Sequence, residues 1–501
     1  MSGLHEEIDW LGLTPDEADR FACHAVRNWQ CSPDLVTTVD GIDYALVARH
    51  LLWWRVASVV RRRRNPELAV CEDRWQVGRN RRHSWSRSQL AKMRRVGQWA
   101  TSFCLRRKDC RSRHFVESVP EKQNLDGCAF LPLRHRRWKR THRVIEHTFA
   151  TVNTGTSRDY VQSSPRSAAS KAFAREFVVA VDSGMRHFGI SLLDQDLTEL
   201  QSELARCHAI VAVLRRKMQA TPPGLVIVAN DSDSPNIEAV AVAQAEGIPS
   251  LLLQHGLDCD RYVYDQSPVE HLAVWGPERR GRYTANLSAA EPHIEIVGNP
   301  EYDHEFPRVD QPVAGGSTWL WVTRPHTTKK CVLPSRNSLE GLEIFDAVLE
   351  ALAKCPHVQL VIKPHRYDYV QSYKSRLKSS SVSARVSIDG RPLEQLFREA
   401  TLVITEDTTA ALEAMFHGKP LIHAHFADTP PLLPLVDCGA AWPGYDQESL
   451  VDSLLKMMSL TRASHQSMID GQQSFMEAFH PLHGGAAQRL DRFLAQVISA
   501  A

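Results

Sequence analysis

A chain of 501 residues exceeds what one ordinary core accommodates, and two or three domains are expected. An apolar fraction of 43% and a charged fraction of 24% exclude a disordered chain, and no uncharged run of about 18 residues exists to span a bilayer. The net charge of +2 conceals a polarity: 25 Lys and Arg stand against 7 Asp and Glu between Arg55 and Arg143, and eight of the twelve tryptophans precede residue 150.

Met1 to Trp10 carries Glu6, Glu7 and Asp9 and has no apolar core, so no secretory signal is expected there. Residues 1–60 read as a helical segment. Thr14-Pro15-Asp16-Glu17 is a helix start, with Thr14 as N-cap and acids in the first turn. Tyr44 to Val60 is apolar apart from Arg49, His50 and Arg55, and runs into Arg61–Arg64. It fits either a membrane-surface helix with a basic end or a buried helix closed by basic residues, and the buried helix is preferred.

Residues 61–170 form an Arg/Trp-rich region with neither strand alternation nor a helical stripe, read as a poorly ordered insertion. Basic residues interleaved with Trp can bind nucleic acid, but no recognised module is present and that partner is not expected. An anionic membrane surface, reached peripherally, fits the charge better. Cys104, Cys110 and His114 match no zinc spacing, and no metal is expected. Eleven scattered cysteines without a C-x-x-C pair fit a reduced, cytoplasmic chain. Ser163 to Ser170 reads as a linker.

A first Rossmann-like domain is expected over 171–312. Phe177–Val181 is an apolar run and Leu197–Gln219 is helical. Leu225–Ala229 is a buried strand, Asn236–Glu246 a helix stopped by Gly247-Ile248-Pro249, and Ser250–Gln254 the next strand. A second domain is expected over 313–501, following Gly298-Asn299-Pro300. Its strands are Thr318–Thr323, Val358–Lys363, Thr401–Thr405 and Pro420–His423. Its helices are Leu339–Lys354, Pro392–Glu399, Thr408–His417, Gln447–Met458, Ala463–Ala478 and Ala486–Val497. This βαβ rhythm predicts two parallel sheets with right-handed crossovers, and ligands of open α/β sheets sit at strand C-termini.

Four loops at such ends carry chemistry. Gln254-His255-Gly256 offers an imidazole as general base beside a glycine that permits a tight turn. Thr323-Arg324 begins a basic, hydroxyl-rich loop through Lys330, suited to phosphate oxygens or simply solvated. Lys363-Pro364-His365-Arg366 offers cationic groups to a diphosphate, or is a basic surface turn. Glu406-Asp407-Thr408-Thr409 leads into a helix whose free N–H groups can bind phosphate, with Glu413 one turn inside to accept from a ribose. Ordinary capping by Asp407 or Thr408 is compatible with that role.

The run from about Val226 to Leu490 resembles the GT-B superfamily. The resemblance rests on Leu252-Leu253-Gln254-His255-Gly256, Trp275-Gly276, Ile296-Val297-Gly298-Asn299-Pro300, Val361-Ile362-Lys363-Pro364-His365 and Leu402–Ile422, with His483-Gly484-Gly485 before the closing helix. Within it, the text is similar to bacterial surface- and capsular-polysaccharide glycosyltransferases, CDP-glycerol glycerophosphotransferases and polysialyltransferase-like enzymes. The resemblance implies His255 as general base, His365 against nucleotide phosphate, Thr408 and Thr409 against donor phosphates, and Glu413 on the ribose. Glu406-Asp407 departs from the family's usual Asp-Tyr-Ser-Ser, and Pro364-His365 reverses its His-Pro order. Glu406 and Glu413 are one residue too close for the retaining pair of glutamates.

The expectation is therefore a metal-independent, inverting GT-B glycosyltransferase with no cofactor. It would move a sugar from a nucleotide-sugar or CDP-linked donor to a polysaccharide or lipid-linked acceptor of the cell envelope. The rivals are a CDP-glycerol-type glycerophosphotransferase, a nucleotide-sugar 2-epimerase and a non-catalytic GT-B-like binding protein.

Overall fold

A computed structural model describes residues 14–30, 38–64, 125–131, 138–155, 167–257, 267–285, 292–304, 318–324, 340–365, 368, 370–427, 430–481 and 484–500. Most of the Arg/Trp-rich stretch, with Cys104, Cys110 and His114, lies outside these residues. So do Pro325–Lys330, Arg366 and His483.

The first helix, α1 (Pro15–Gln30), begins as its text predicts. Thr14 Oγ1 accepts from Glu17 N at 3.3 Å, and the Glu17 carboxylate accepts from Thr14 N and Oγ1 at 2.8 and 2.7 Å. This reciprocal capping satisfies donors that a helix start leaves open. A short hairpin, β1 (Thr38–Val39) and β2 (Ile42–Asp43), leads into α2 (Tyr44–Arg64). Tyr44, Ala48, Leu52, Val56 and Val59 of α2 are buried in one cluster with α1, so this is a core helix and its apolar face is not offered to a membrane. Among the described residues no helix is long and apolar enough to cross one.

The first sheet is built from β3 (Leu125–Leu131), β4 (Phe149–Thr154), β5 (Leu225–Val228), β6 (Ser250–Leu253), β7 (His271–Val274) and β8 (His293–Ile296), in the order β4-β3-β5-β6-β7-β8. All its pairings are parallel. Its helices are α3 (Lys139–Thr148), α4 (Ala168–His187), α5 (Asp194–Ala220), α6 (Asn236–Ala245) and α7 (Pro277–Ala285). β3, α3 and β4 arise within the stretch expected to be an insertion. Their core residues Ala129, Leu131, Ile145 and Phe149 are buried against β5 and β6. The apolar run Phe177–Val181 opens no strand. It lies inside α4, where Phe177, Val178 and Val181 face the α1–α2 cluster. Ser167, placed in a linker by its composition, is the N-cap of α4.

The second sheet contains β9 (Thr318–Val322), β10 (Gln359–Lys363), β11 (Val386–Ile388), β12 (Leu402–Thr405), β13 (Leu421–Ala424) and β14 (Trp442–Gly444), in the order β11-β10-β9-β12-β13-β14 and again parallel throughout. Its helices are α8 (Glu340–Lys354), α9 (Val370–Leu377), α10 (Leu393–Glu399), α11 (Thr409–Phe416), α12 (Gln447–Met457) and α13 (Arg462–Phe479). The last helix, α14 (Ala486–Ala500), returns to the first sheet: Leu490, Phe493, Leu494 and Val497 are buried with Leu251, Leu253 and Ala273.

The chain runs outward from β9 to β11, then resumes on the other side of β9 with β12. Strand order therefore reverses between β9 and β12. In the first sheet the reversal lies between β3 and β5. At such points neighbouring loops diverge and open a crevice at the strands' C-terminal ends, where ligands of open α/β sheets bind.

Candidate functional site in the interdomain cleft

The loops after β9 and β12 flank the second reversal. Arg324 follows β9 and is 4% exposed; Glu406 and Asp407 follow β12 at 0% and 1%. Arg324 N donates to Glu406 Oε1 at 3.2 Å, and its guanidinium lies 4.0 Å from Asp407 Oδ2. Asp407 Oδ1 accepts from Leu432 N and Leu433 N at 3.2 and 3.0 Å. Buried charges are tolerated when paired and hydrogen-bonded, and these two carboxylates fasten the strand-end loops together. Thr408 caps α11, its side chain accepting from Ala410 N.

The first domain meets α11 directly. Leu257 N donates to Thr409 Oγ1 at 2.9 Å, and Tyr302 OH donates to Glu413 Oε1 at 3.0 Å. A Cβ at Gly256 would stand 2.9 Å from Thr409 Oγ1, so glycine permits this approach. Gln254 shapes the turn: its Nε2 donates to Gly256 O at 3.0 Å, and its Oε1 accepts from Trp275 N at 2.7 Å. His255, between them, is exposed. Gly298 sits at φ +76°, in the left-handed region that glycine adopts without strain. Asn299 caps the short turn Pro300–Tyr302 through its side chain, and its N donates to His480 Nε2 at 3.0 Å. A small pocket joins Gln254, Gly298 and Asn299 to Trp138 and Thr141 of α3 and its approach.

The structure thus brings His255, Thr409 and Glu413 to one interdomain face, and Arg324, Glu406 and Asp407 to its floor. The ammonium of Lys363 donates to Gly390 O and Arg391 O at 2.9 and 2.6 Å. It is thereby turned toward the loop after β11. His365 is held by its backbone, with its N donating to Thr323 Oγ1 at 3.0 Å.

Three features escaped the sequence reading. Tyr302 carries no motif and is visible only through its contact with Glu413. Asp231 lies three residues past the end of β5. It is 5% exposed, and its Oδ2 makes no hydrogen bond among the described residues. Arg49 and His50 of α2 share this surrounding, and burial pushes the His50 imidazole down to about 4 although Asp233 and Asp231 pull it back up. His423 and His425 flank Asp407, and their His-x-His spacing at the end of the predicted strand Pro420–His423 was a readable signal.

No protein-family model matches the sequence, and the search of curated proteins returns no match. Solved structures do match. The MnaA–UDP co-structure from S. aureus has a TM-score of 0.50 at 13% identity, covering 75% of this chain and 98% of that one. UDP-GlcNAc 2-epimerase from Neisseria meningitidis, bound to UDP-GlcNAc, has a TM-score of 0.48 at 13% identity, covering 74% and 100%. The Methanocaldococcus jannaschii UDP-GlcNAc 2-epimerase, in complex with UDP-GlcNAc and UDP, gives 0.47 at 13%, covering 74% and 100%. At this identity the likeness is one of fold: two Rossmann-like domains of the GT-B type, as the motifs implied. The expected glycosyltransferase activity is corrected here: the Neisseria and Methanocaldococcus neighbours are named as UDP-GlcNAc 2-epimerases and not as glycosyltransferases.

Proposed function

We propose that the chain is a nucleotide-sugar isomerase of the 2-epimerase type, acting on a UDP-N-acetylhexosamine in the cleft. The carrying observation is the placement of Asp231 and His255. β5 and β6 are neighbouring parallel strands with Val228 opposite Leu252. Asp231 and His255 each stand three residues past that pair, at adjacent strand ends. Inverting C2 of a sugar breaks and remakes one C–H bond, which needs a base and an acid. In this reading one of the two groups takes the proton from C2 while the C1–O bond to UDP breaks. The C–H pair becomes a C1=C2 double bond and UDP carries off the C–O pair. UDP then adds back at C1 as the other group gives a proton to the opposite face of C2. The start of α11 and Arg324 hold the diphosphate, through the helix dipole and the guanidinium. No acceptor is required.

The test is incubation with UDP-GlcNAc alone in D₂O, followed by proton NMR. Growth of the C2 epimer with deuterium at C2 is expected. Asp231→Asn should lower turnover by about 10²–10⁴-fold, the usual range for a proton-transfer group, with UDP affinity little changed. Binding of UDP-GlcNAc without exchange at C2 would refute the reading.

A further inference from the structure

His423 lies on β13 and His425 is the first residue past its end, two residues on, which puts both imidazoles on one side of the extended chain. β12 pairs with β13 so that Thr405 lies opposite His423. Two residues further along, Asp407 therefore comes alongside them. His423 Nε2 is 3.2 Å from Asp407 Oδ1, and His425 Nδ1 is 3.4 Å from Asp407 Oδ2. One donor atom from each residue falls within 4.8 Å of the other two. All three side chains are buried, His423 completely.

We propose that Asp407, His423 and His425 form a binding site for a borderline transition-metal dication, Zn²⁺ first. Two imidazoles and one carboxylate are the donor set such ions select, whereas Mg²⁺ and Ca²⁺ take all-oxygen shells. The spacing fits. Bonds of about 2.0–2.1 Å at tetrahedral angles place neighbouring ligand atoms about 3.3–3.4 Å apart; each imidazole lies at such a distance from one of the two Asp407 oxygens, and one donor atom from each residue falls within 4.8 Å of the others. His423 supplies an independent sign. It is 0% exposed, and neither of its ring nitrogens makes a hydrogen bond among the described residues. A buried imidazole in that state is uncommon, and an ion at Nε2 gives it a partner.

The ligands are also held from outside. The Leu432 and Leu433 amides fix the Asp407 carboxylate. The Tyr445 ring packs against His423 and His425 at 5.9 and 6.1 Å between centroids, close to edge-on to each. Such surrounding contacts orient metal ligands. Arg324 opposes a cation, since its guanidinium is 4.0 Å from Asp407 Oδ2. Glu406, which accepts from the Arg324 backbone, offsets it. Two carboxylates and one guanidinium leave one net negative charge before the ion binds. Three protein ligands also leave a fourth position open. The site stands whether or not the chain is an epimerase.

The full-length protein, stripped with a chelator and dialysed, is titrated with Co²⁺ and followed by visible absorption, then displaced with Zn²⁺. One equivalent should give the d–d bands of a four- or five-coordinate N/O site, and Mg²⁺ should not compete. The eleven cysteines are a second source of ligands, and thiolate ligation would show as intense sulfur-to-cobalt charge transfer. The His423→Gln/His425→Gln variant should lose affinity by at least about 100-fold, more than the loss typical of supporting residues. Because His423 is in the core, His425→Gln alone, nearer the surface, provides a second variant checked for native circular dichroism. Absence of a one-equivalent spectrum, a thiolate spectrum, or undiminished uptake by a folded variant would overturn the proposal.

Discussion

His480 shows how one buried group can make a domain junction sensitive to pH. It is 3% exposed, and its Nε2 accepts from Asn299 N, so the ring is neutral there. Burial pushes its pKa down to about 4, with Asp303 pulling upward and Arg489 pushing further down. Asp303 in turn accepts from Ala486 N and Ala487 N, capping α14. The unfolded chain takes up this proton near the ordinary histidine value of about 6.5, and the folded chain only near 4. Between those values the unfolded state binds more protons. The stabilisation from a neutral His480 is therefore complete above about pH 6.5 and is lost as pH falls toward 4, amounting to roughly 3 kcal/mol for a shift of this size. His480→Gln keeps a side-chain acceptor and removes the titration. Denaturant unfolding of both proteins at pH 7 and pH 4.5 should show a flatter pH dependence for the variant. Parallel profiles would show that His480 is not the group responsible.

At the scale of elements, α4 illustrates why tertiary packing overrides propensity. Gly184 lies within α4, and a Cβ there would stand 2.4 Å from Cδ1 of Trp29, a fully buried indole. Gly→Ala in a helix interior ordinarily gains up to about 1 kcal/mol. Overpacking a rigid ring costs about 1–3 kcal/mol, so Gly184→Ala should lower stability, and a raised melting temperature would contradict this packing. The same helix marks the limit of reading the sequence. Phe177–Val181 is apolar and partly β-branched, as a strand is, and only its place among α1 and α2 decides that it is helical. β5, β6, β9, β10, β12 and β13 were legible because short buried runs ended in glycine, proline or polar loops. β3 and β4 were not, since their text is embedded in arginines and tryptophans whose charge outweighs any local pattern. In the site, loops at strand ends pointed to Arg324, Thr409 and Glu413. The contacts made by Tyr302 and His480 join residues far apart in the chain, so no local pattern announces them.

On the scale of the whole molecule, α14 joins the two halves. It follows the second domain in sequence, yet its apolar face completes the core of the first. Phe493 is 1% exposed and meets the rings of His271 and His293 at 6.3 and 5.1 Å, both near edge-on. Leu490 and Leu494 cover β6 and β7 beside it. The second sheet holds its own clusters, built around Trp319, Trp321, Phe345 and Ile404 on one side and Leu320, Val403 and Leu412 on the other, without any residue of α14. A lesion in α14 should therefore be felt in the domain that is remote in sequence. Phe493→Ala removes a large ring from a closed core and should cost about 3–5 kcal/mol. Hydrogen exchange resolved by peptide should locate the loss: protection should fall in β5, β6 and β7 and persist in β9, β10 and β12, because local stability follows the contacts an element makes. Loss confined to the second sheet would mean that α14 belongs to the domain it follows, and that the two halves are joined by the cleft contacts alone.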